Sequence, residues 1–190
     1  TPFTKIVDDW KAEGIFDRIL NHNIHIIWTG GEPTMPRSSS EIRAFTQWFV
    51  AEYGIKPYYE IETNGTIPPV FADGTSLFDM MDQINCSPKL QNSGMKADFR
   101  IKPGVIKDIM SRPNSWLKFV VSVEDDIREF ERDFLSIEGV TKDKICIMPG
   151  VDCLANLPER TKFLFEMTKK YGYRGITRQH VLAWDKTTGV

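Results

Sequence analysis

The stretch Ile26-Ile27-Trp28-Thr29-Gly30-Gly31-Glu32-Pro33 carries an apolar run into two glycines and an acid. As local structure this is a tight turn. As chemistry it is a strand end stripped of side chains. Glycine permits unusual φ values and close approach, which leaves peptide groups free for a ligand's ammonium or carboxylate. Comparable polar clusters recur downstream: Glu62-Thr63-Asn64-Gly65-Thr66, Ser87-Pro88-Lys89, Ser122, Met148-Pro149-Gly150 and Arg178-Gln179-His180. Glu62 and Asn64 share strand parity, so an extended backbone points both to one side, as ribose-binding groups would be. Asn-Gly is equally a common turn pair. Lys89 is placed to pair with a carboxylate, or else is a solvated strand exit. His180 is one of three histidines, and a lone histidine more often makes a structural hydrogen bond than catalyses.

The elements that must position these residues alternate along the chain. Phe3, Ile6, Val7 and Trp10, then Phe16, Ile19 and Leu20, repeat at helical spacing. Residues 24–28 read as a buried strand. Ser38-Ser39-Ser40-Glu41 reads as a capping box opening a helix that buries Ile42, Phe45 and Phe49 and stops at Gly54. Strands are expected at 58–63, 83–87, 116–122, 144–148 and 175–184. A short helix is expected near 77–81, a charged one from about Asp125, and another after Pro158 that ends at Gly172. A looser stretch rich in Gly, Pro, Asn and Ser follows residue 87. Strands separated by helices imply parallel pairing. The expected class is α/β, an open sheet or incomplete TIM-like barrel with flanking helices. In such folds ligands bind at the carboxyl ends of strands, where the polar clusters fall.

The chain has 190 residues, 41% hydrophobic and 26% charged, with a net charge of −2, which fits one globular domain over 1–190. Lysines and arginines are scattered among acids, which argues against nucleic acid as a main partner. No apolar run is long enough to span a membrane. Cys86, Cys146 and Cys153 make neither an even framework nor a CxxC pair, in keeping with a reducing cytoplasm and buried thiols. The seven Met and five Trp are dispersed and read as core.

TGGEP (29–33) followed by ETNGT (62–66) resembles the radical S-adenosylmethionine (SAM) superfamily. SPKLQNSG (87–94), KFVV (118–121), MPG (148–150) and the terminal HVLAW…GV, in this order, narrow the resemblance to the 7-carboxy-7-deazaguanine synthase family. The likeness covers essentially the whole chain, and SPK is its most specific element. It implies a carbon–nitrogen lyase of queuosine and deazapurine biosynthesis that uses a [4Fe-4S] cluster, SAM and Mg2+. A 5'-deoxyadenosyl radical would take hydrogen from 6-carboxy-5,6,7,8-tetrahydropterin, and the ring would contract with loss of ammonia. By matching position, Gly30, Gly31 and Glu32 would meet the amino end of SAM. Glu62, Asn64, Ser87, Lys89 and Ser122 would serve the rest of it. Thr29, His180 and the terminal carboxylate of Val190 would face the pterin, with Arg178 standing where the family often has Gln. No residue is assigned as catalytic.

The CxxxCxxC loop that holds the cluster in this family, and the Thr after it that helps bind magnesium, are absent from the sequence. Cys146 and Cys153 cannot imitate it. The resemblance places that loop, with a first strand, ahead of Thr1, and a chain opening on Thr1-Pro2 without Met reads as part of something longer. The resemblance further implies a homodimer and a flavodoxin-type electron donor. Two alternatives remain: a glycyl-radical activating enzyme, against which SPK and the terminal His argue, and a cluster-free homologue that binds SAM or a pterin without catalysis.

Overall fold

The computed structural model describes residues 2–187. Six strands hydrogen-bond in chain order in one sheet, and the first and second, fourth and fifth, and fifth and sixth pair in parallel. Helices flank the strands, as expected of an open α/β sheet of the partial TIM-like kind. The described residues divide into two compact units: 2–63 with 67–85, and 64–66 with 86–187.

The first unit holds α1 (Phe3–Ala12), α2 (Phe16–Leu20), β1 (Ile26–Trp28), α3 (Pro36–Tyr53) and β2 (Tyr59–Thr63). A 3-10 turn at Leu77–Met80 leads to β3 (Gln83–Cys86), which runs up to the division. The helical spacing read at the start of the chain brings Val7 and Ile19 against Ile26, Phe45, Phe49 and Tyr59. Aromatic rings tighten this core, with Phe3 edge-on to Phe45 at 5.3 Å. β1 is one-sided and not buried throughout: Ile26 is buried, whereas Ile27 is 50% exposed on the opposite face.

The capping box does not form. α3 starts at Pro36, whose fixed φ suits a first helical turn, so the serines already lie inside the helix. Ser39 and Ser40 donate to the Pro36 carbonyl, and Glu41 accepts from Arg37 instead of reaching back. The expected stop at Gly54 is present.

The second unit holds α4 (Ala97–Arg100), α5 (Pro103–Met110), β4 (Ser115–Val121), α6 (Glu124–Phe134), β5 (Ile145–Pro149), α7 (Leu157–Tyr171), β6 (Arg174–Gly175) and α8 (Gln179–Trp184). β4 alternates strictly, burying Leu117, Phe119 and Val121. Phe119 stacks on Phe130 of α6 at 4.4 Å. Two readings need correction. The supposed loose stretch contains α5, in which Val105, Ile106, Ile109 and Met110 bury one face. Pro103-Gly104 looks like a turn but is a helix start.

The supposed last strand is two residues of β6 followed by α8. Pairing with β5 ends after Ile176 donates to the Ile147 carbonyl. The chain then turns at Arg178, whose carbonyl accepts from the amides of Val181 and Leu182. Val181 is buried while Leu182 and Trp184 are 63% and 50% exposed. A half-buried segment of Gln, Leu and Ala favours helix.

Candidate functional site

At the end of β1, Gly30 and Gly31 have φ of 84° and 57°. A side chain in this left-handed region costs about 1–2 kcal/mol. A Cβ built on either glycine meets nothing within 4 Å. The glycines, both exposed, are therefore needed for conformation and not for lack of room.

Glu32 follows directly. Its Oε1 accepts from the Thr34 amide at 3.1 Å, the Thr34 hydroxyl at 2.7 Å and the Thr63 hydroxyl at 2.6 Å. Three donors on one oxygen fix the direction of the carboxylate. Thr29 donates to Glu62 Oε2 at 3.4 Å. The hydroxyl contacts thus link Thr29 with Glu62, and Glu32 with the end of β2. Beside them opens a cleft of about 320 Å3, lined among others by Phe3, Trp28, Thr29, Gly30 and Pro33. Earlier on the same strands, the carboxylate of Glu60 takes His25 Nδ1 at 2.5 Å and the amides of Gln83 and Asn85 at 3.1 Å each. This polar network, buried at Glu60 and Asn85 and exposed at His25, was not foreseen.

In the second unit, Asn64 does not continue a strand. β2 ends at Thr63, and Asn64 Oδ1 turns back to accept from the Thr66 amide and hydroxyl at 2.9 and 2.6 Å. This is an Asx turn, so strand parity does not decide where Asn64 points. Ser87 is partly exposed and Lys89 exposed, while Pro88 and Leu90 are buried. Lys89 thus sits at the outer point of an anchored loop.

Ser122 ends β4. Its amide donates to Asp126 Oδ2 at 2.7 Å, and its carbonyl accepts from Arg160 at 3.1 Å. Gly150 passes so close that a Cβ there would lie 2.1 Å from Ser122 Oγ. The glycine of MPG therefore makes room for the Ser122 hydroxyl. Arg178 and His180 come together at the start of α8, with Arg178 Nη2 at 3.5 Å from His180 Nε2. His180 is on a helix and not on a strand. Val190 lies outside the described residues.

Asp126, Arg160, Thr34 and Thr63 were missed. Asp126 had a local signal, an acid three residues into a helix that follows a strand end. Arg160 acts across a long sequence separation and had none, and Thr63 was marked only as part of ETNGT, not as a partner of Glu32.

Among the described residues no group of three His, Cys, Asp or Glu could hold a metal ion. Cys86 and Cys146 are buried and Cys153 partly so. Burial raises the Cys146 thiol above its ordinary range, which suits packing and not ligation. The described residues do not fit the cluster or the magnesium ion. No described helix is long and apolar enough to cross a membrane.

No family model matches the chain. The fold is similar to that in the crystal structure of QueE from Escherichia coli, with a TM-score of 0.52, 17% identity and coverage of 94% of this chain. The chain spans 64% of the length of that structure's chain, and at this identity the likeness concerns the fold. The 7-carboxy-7-deazaguanine synthase of Pyrobaculum aerophilum is 30% identical over 167 residues, which is 87% of this chain and 67% of that protein. With the TGGEP strand end turned as described, the sequence match identifies the chain as a member of the 7-carboxy-7-deazaguanine synthase family.

Proposed function

We propose that this chain binds SAM and a tetrahydropterin, and serves the conversion of 6-carboxy-5,6,7,8-tetrahydropterin to 7-carboxy-7-deazaguanine with loss of ammonia. The observation that carries the reading is the end of β1. Two consecutive exposed glycines in the left-handed region leave the side-chain positions at the turn empty, and a carboxylate beside them is held in direction by Thr34 and Thr63. A primary ammonium is the complement of that arrangement, and a charge-assisted bond to it is about twice as strong as a neutral one.

Each residue's part follows from its chemistry. Glu32 and the peptide groups of Gly30 and Gly31 take the methionyl amino end. Glu62 accepts from ribose hydroxyls, held by Thr29. Lys89 pairs with the methionyl carboxylate, and Asn64, Ser87 and Ser122 offer neutral polar contacts. Arg178 and His180 supply two donors for the pterin's carboxylate or carbonyl. When bound, SAM supplies the adenosyl group that takes hydrogen from the substrate. The protein's own share is to align the two ligands and exclude water.

Calorimetry of SAM binding to the holoenzyme tests the reading. Gly31→Val puts a β-branched residue at φ 57° and should weaken SAM by about tenfold or more. Met35→Ala, beyond the strand end, should leave affinity unchanged. Equal affinity for Gly31→Val and the parent would reduce the glycine pair to a turn.

A further inference from the structure

We infer that the buried ion pair Arg100–Glu129, with Asp126 on the same face of α6, is a positioning device that holds the Lys89 loop in register for its ligand. The inference rests on the reading of Lys89 as the partner of a SAM carboxylate. The pair is short, 2.7 Å, and its side chains are only 5% and 9% exposed. Each partner also bonds the main chain beside Lys89, and Arg100 has a second carboxylate, Asp133, at 3.7 Å. Arg100 Nη1 donates to the Lys89 carbonyl at 3.4 Å, and Glu129 Oε1 accepts from the Gln91 amide at 2.8 Å. Leu90, between them, is 2% exposed. The loop is gripped on both sides of an exposed lysine whose side chain remains free to reach outward.

One turn earlier on α6, Asp126 ties the same loop to the end of β4. Its Oδ1 accepts from Asn92 Nδ2 at 3.1 Å while its Oδ2 accepts from the Ser122 amide at 2.7 Å. One helix face thus sets the backbone at two proposed SAM contacts, Lys89 and Ser122. A pair selected for stability alone is an inefficient choice, because a desolvated salt bridge rarely outperforms apolar packing. This one also leaves Arg100 Nε buried without a hydrogen-bond partner among the described residues. Its directed bonds to the loop are what apolar residues could not replace.

The test uses the holoenzyme with three variants and two readouts, amide exchange at Gln91 and calorimetric SAM affinity. Glu129→Ala, and the double change Arg100→Met with Glu129→Leu, should each speed Gln91 exchange and raise the SAM Kd about tenfold. In the double variant Asp133 keeps its bond to Arg132 at 2.7 Å, so the test stays open if Glu129→Ala fails to fold. Lys89→Ala should raise the SAM Kd without changing exchange at Gln91. Unchanged exchange in the pair variants would overturn the inference. Faster exchange with intact SAM affinity would also overturn it, provided Lys89→Ala weakens SAM. If Lys89→Ala leaves SAM affinity intact too, the reading of Lys89 itself fails and takes the inference with it.

Discussion

At the end of β1, Glu32 is held by hydroxyls, one of them only two residues away on Thr34. After β3, Lys89 is held by Arg100, eleven residues on, and its neighbour Gln91 by Glu129, thirty-eight residues on. The first anchor is partly exposed, neutral on the donor side and largely local. The second is buried, charged on both sides and long-range. Hydrogen bonds from neutral donors to a carboxylate contribute about 1.5–3 kcal/mol each and can be lost singly. A buried ion pair cannot lose one member cheaply, because the survivor stays charged and desolvated. The two strand ends should therefore respond differently to the same kind of substitution.

The largest effect expected is on the second anchor. Arg100→Ala should cost about 3–5 kcal/mol in denaturant unfolding, whereas replacing both members with apolar residues should cost far less. Equal destabilisation by the single and the double change would erase the contrast between the two ends.

Glu32→Gln should do the reverse. The amide oxygen can still accept from Thr34 and Thr63, more weakly than a carboxylate, so stability should fall by about 1–2 kcal/mol. SAM affinity should fall about tenfold, because the charge facing its ammonium is gone. A loss of stability with SAM affinity intact would make Glu32 a structural residue.

Gly150→Ala should have a smaller effect still. The new Cβ would meet only the tip of Ser122, and a rotamer change relieves that at roughly 1 kcal/mol or less. Combining it with Ser122→Ala should restore the thermal midpoint. Failure to do so would mean that the backbone, and not the hydroxyl, is what Gly150 accommodates.

The smallest effect concerns the solvent side of α6, where Glu124 bonds to Tyr171, Lys170 and Arg128. The Tyr171 hydroxyl, then Lys170, hold its carboxyl down at about 2, against an ordinary value of 4.5. A depressed acid stabilises above its ordinary value, and that contribution disappears as pH falls through about 2. Urea midpoints across this window should fall less steeply in Tyr171→Phe than in the parent. Parallel curves would show that this exposed tie contributes nothing, unlike the buried pair on the same helix.

Much of the first strand end was legible. Gly30-Gly31 announced a left-handed turn because few other residues tolerate it, and the TGGEP and ETNGT elements pointed to the family later supported by the Pyrobaculum relative. The second strand end was legible only as SPK. Arg100 lay in a stretch that looked like loop, and Glu129 in a helix that looked merely charged. The misread C-terminal segment has a related cause. HVLAW is apolar enough for a strand, but only Val181 in it finds a partner surface, and the carbonyl of Arg178 starts a helix instead.

What the sequence determined by itself was the alternation of elements, the glycine turn after β1 and the polar strand ends, because these depend on periods of two and 3.6 residues and on φ limits that act within a few positions. What only the tertiary structure decided was which acids on α6 face inward, which loop they grip, that Gly150 clears a path for Ser122, and that Asn64 folds onto its own turn. Those outcomes depend on how a helix docks and which charges lose their water, and no local spacing encodes either.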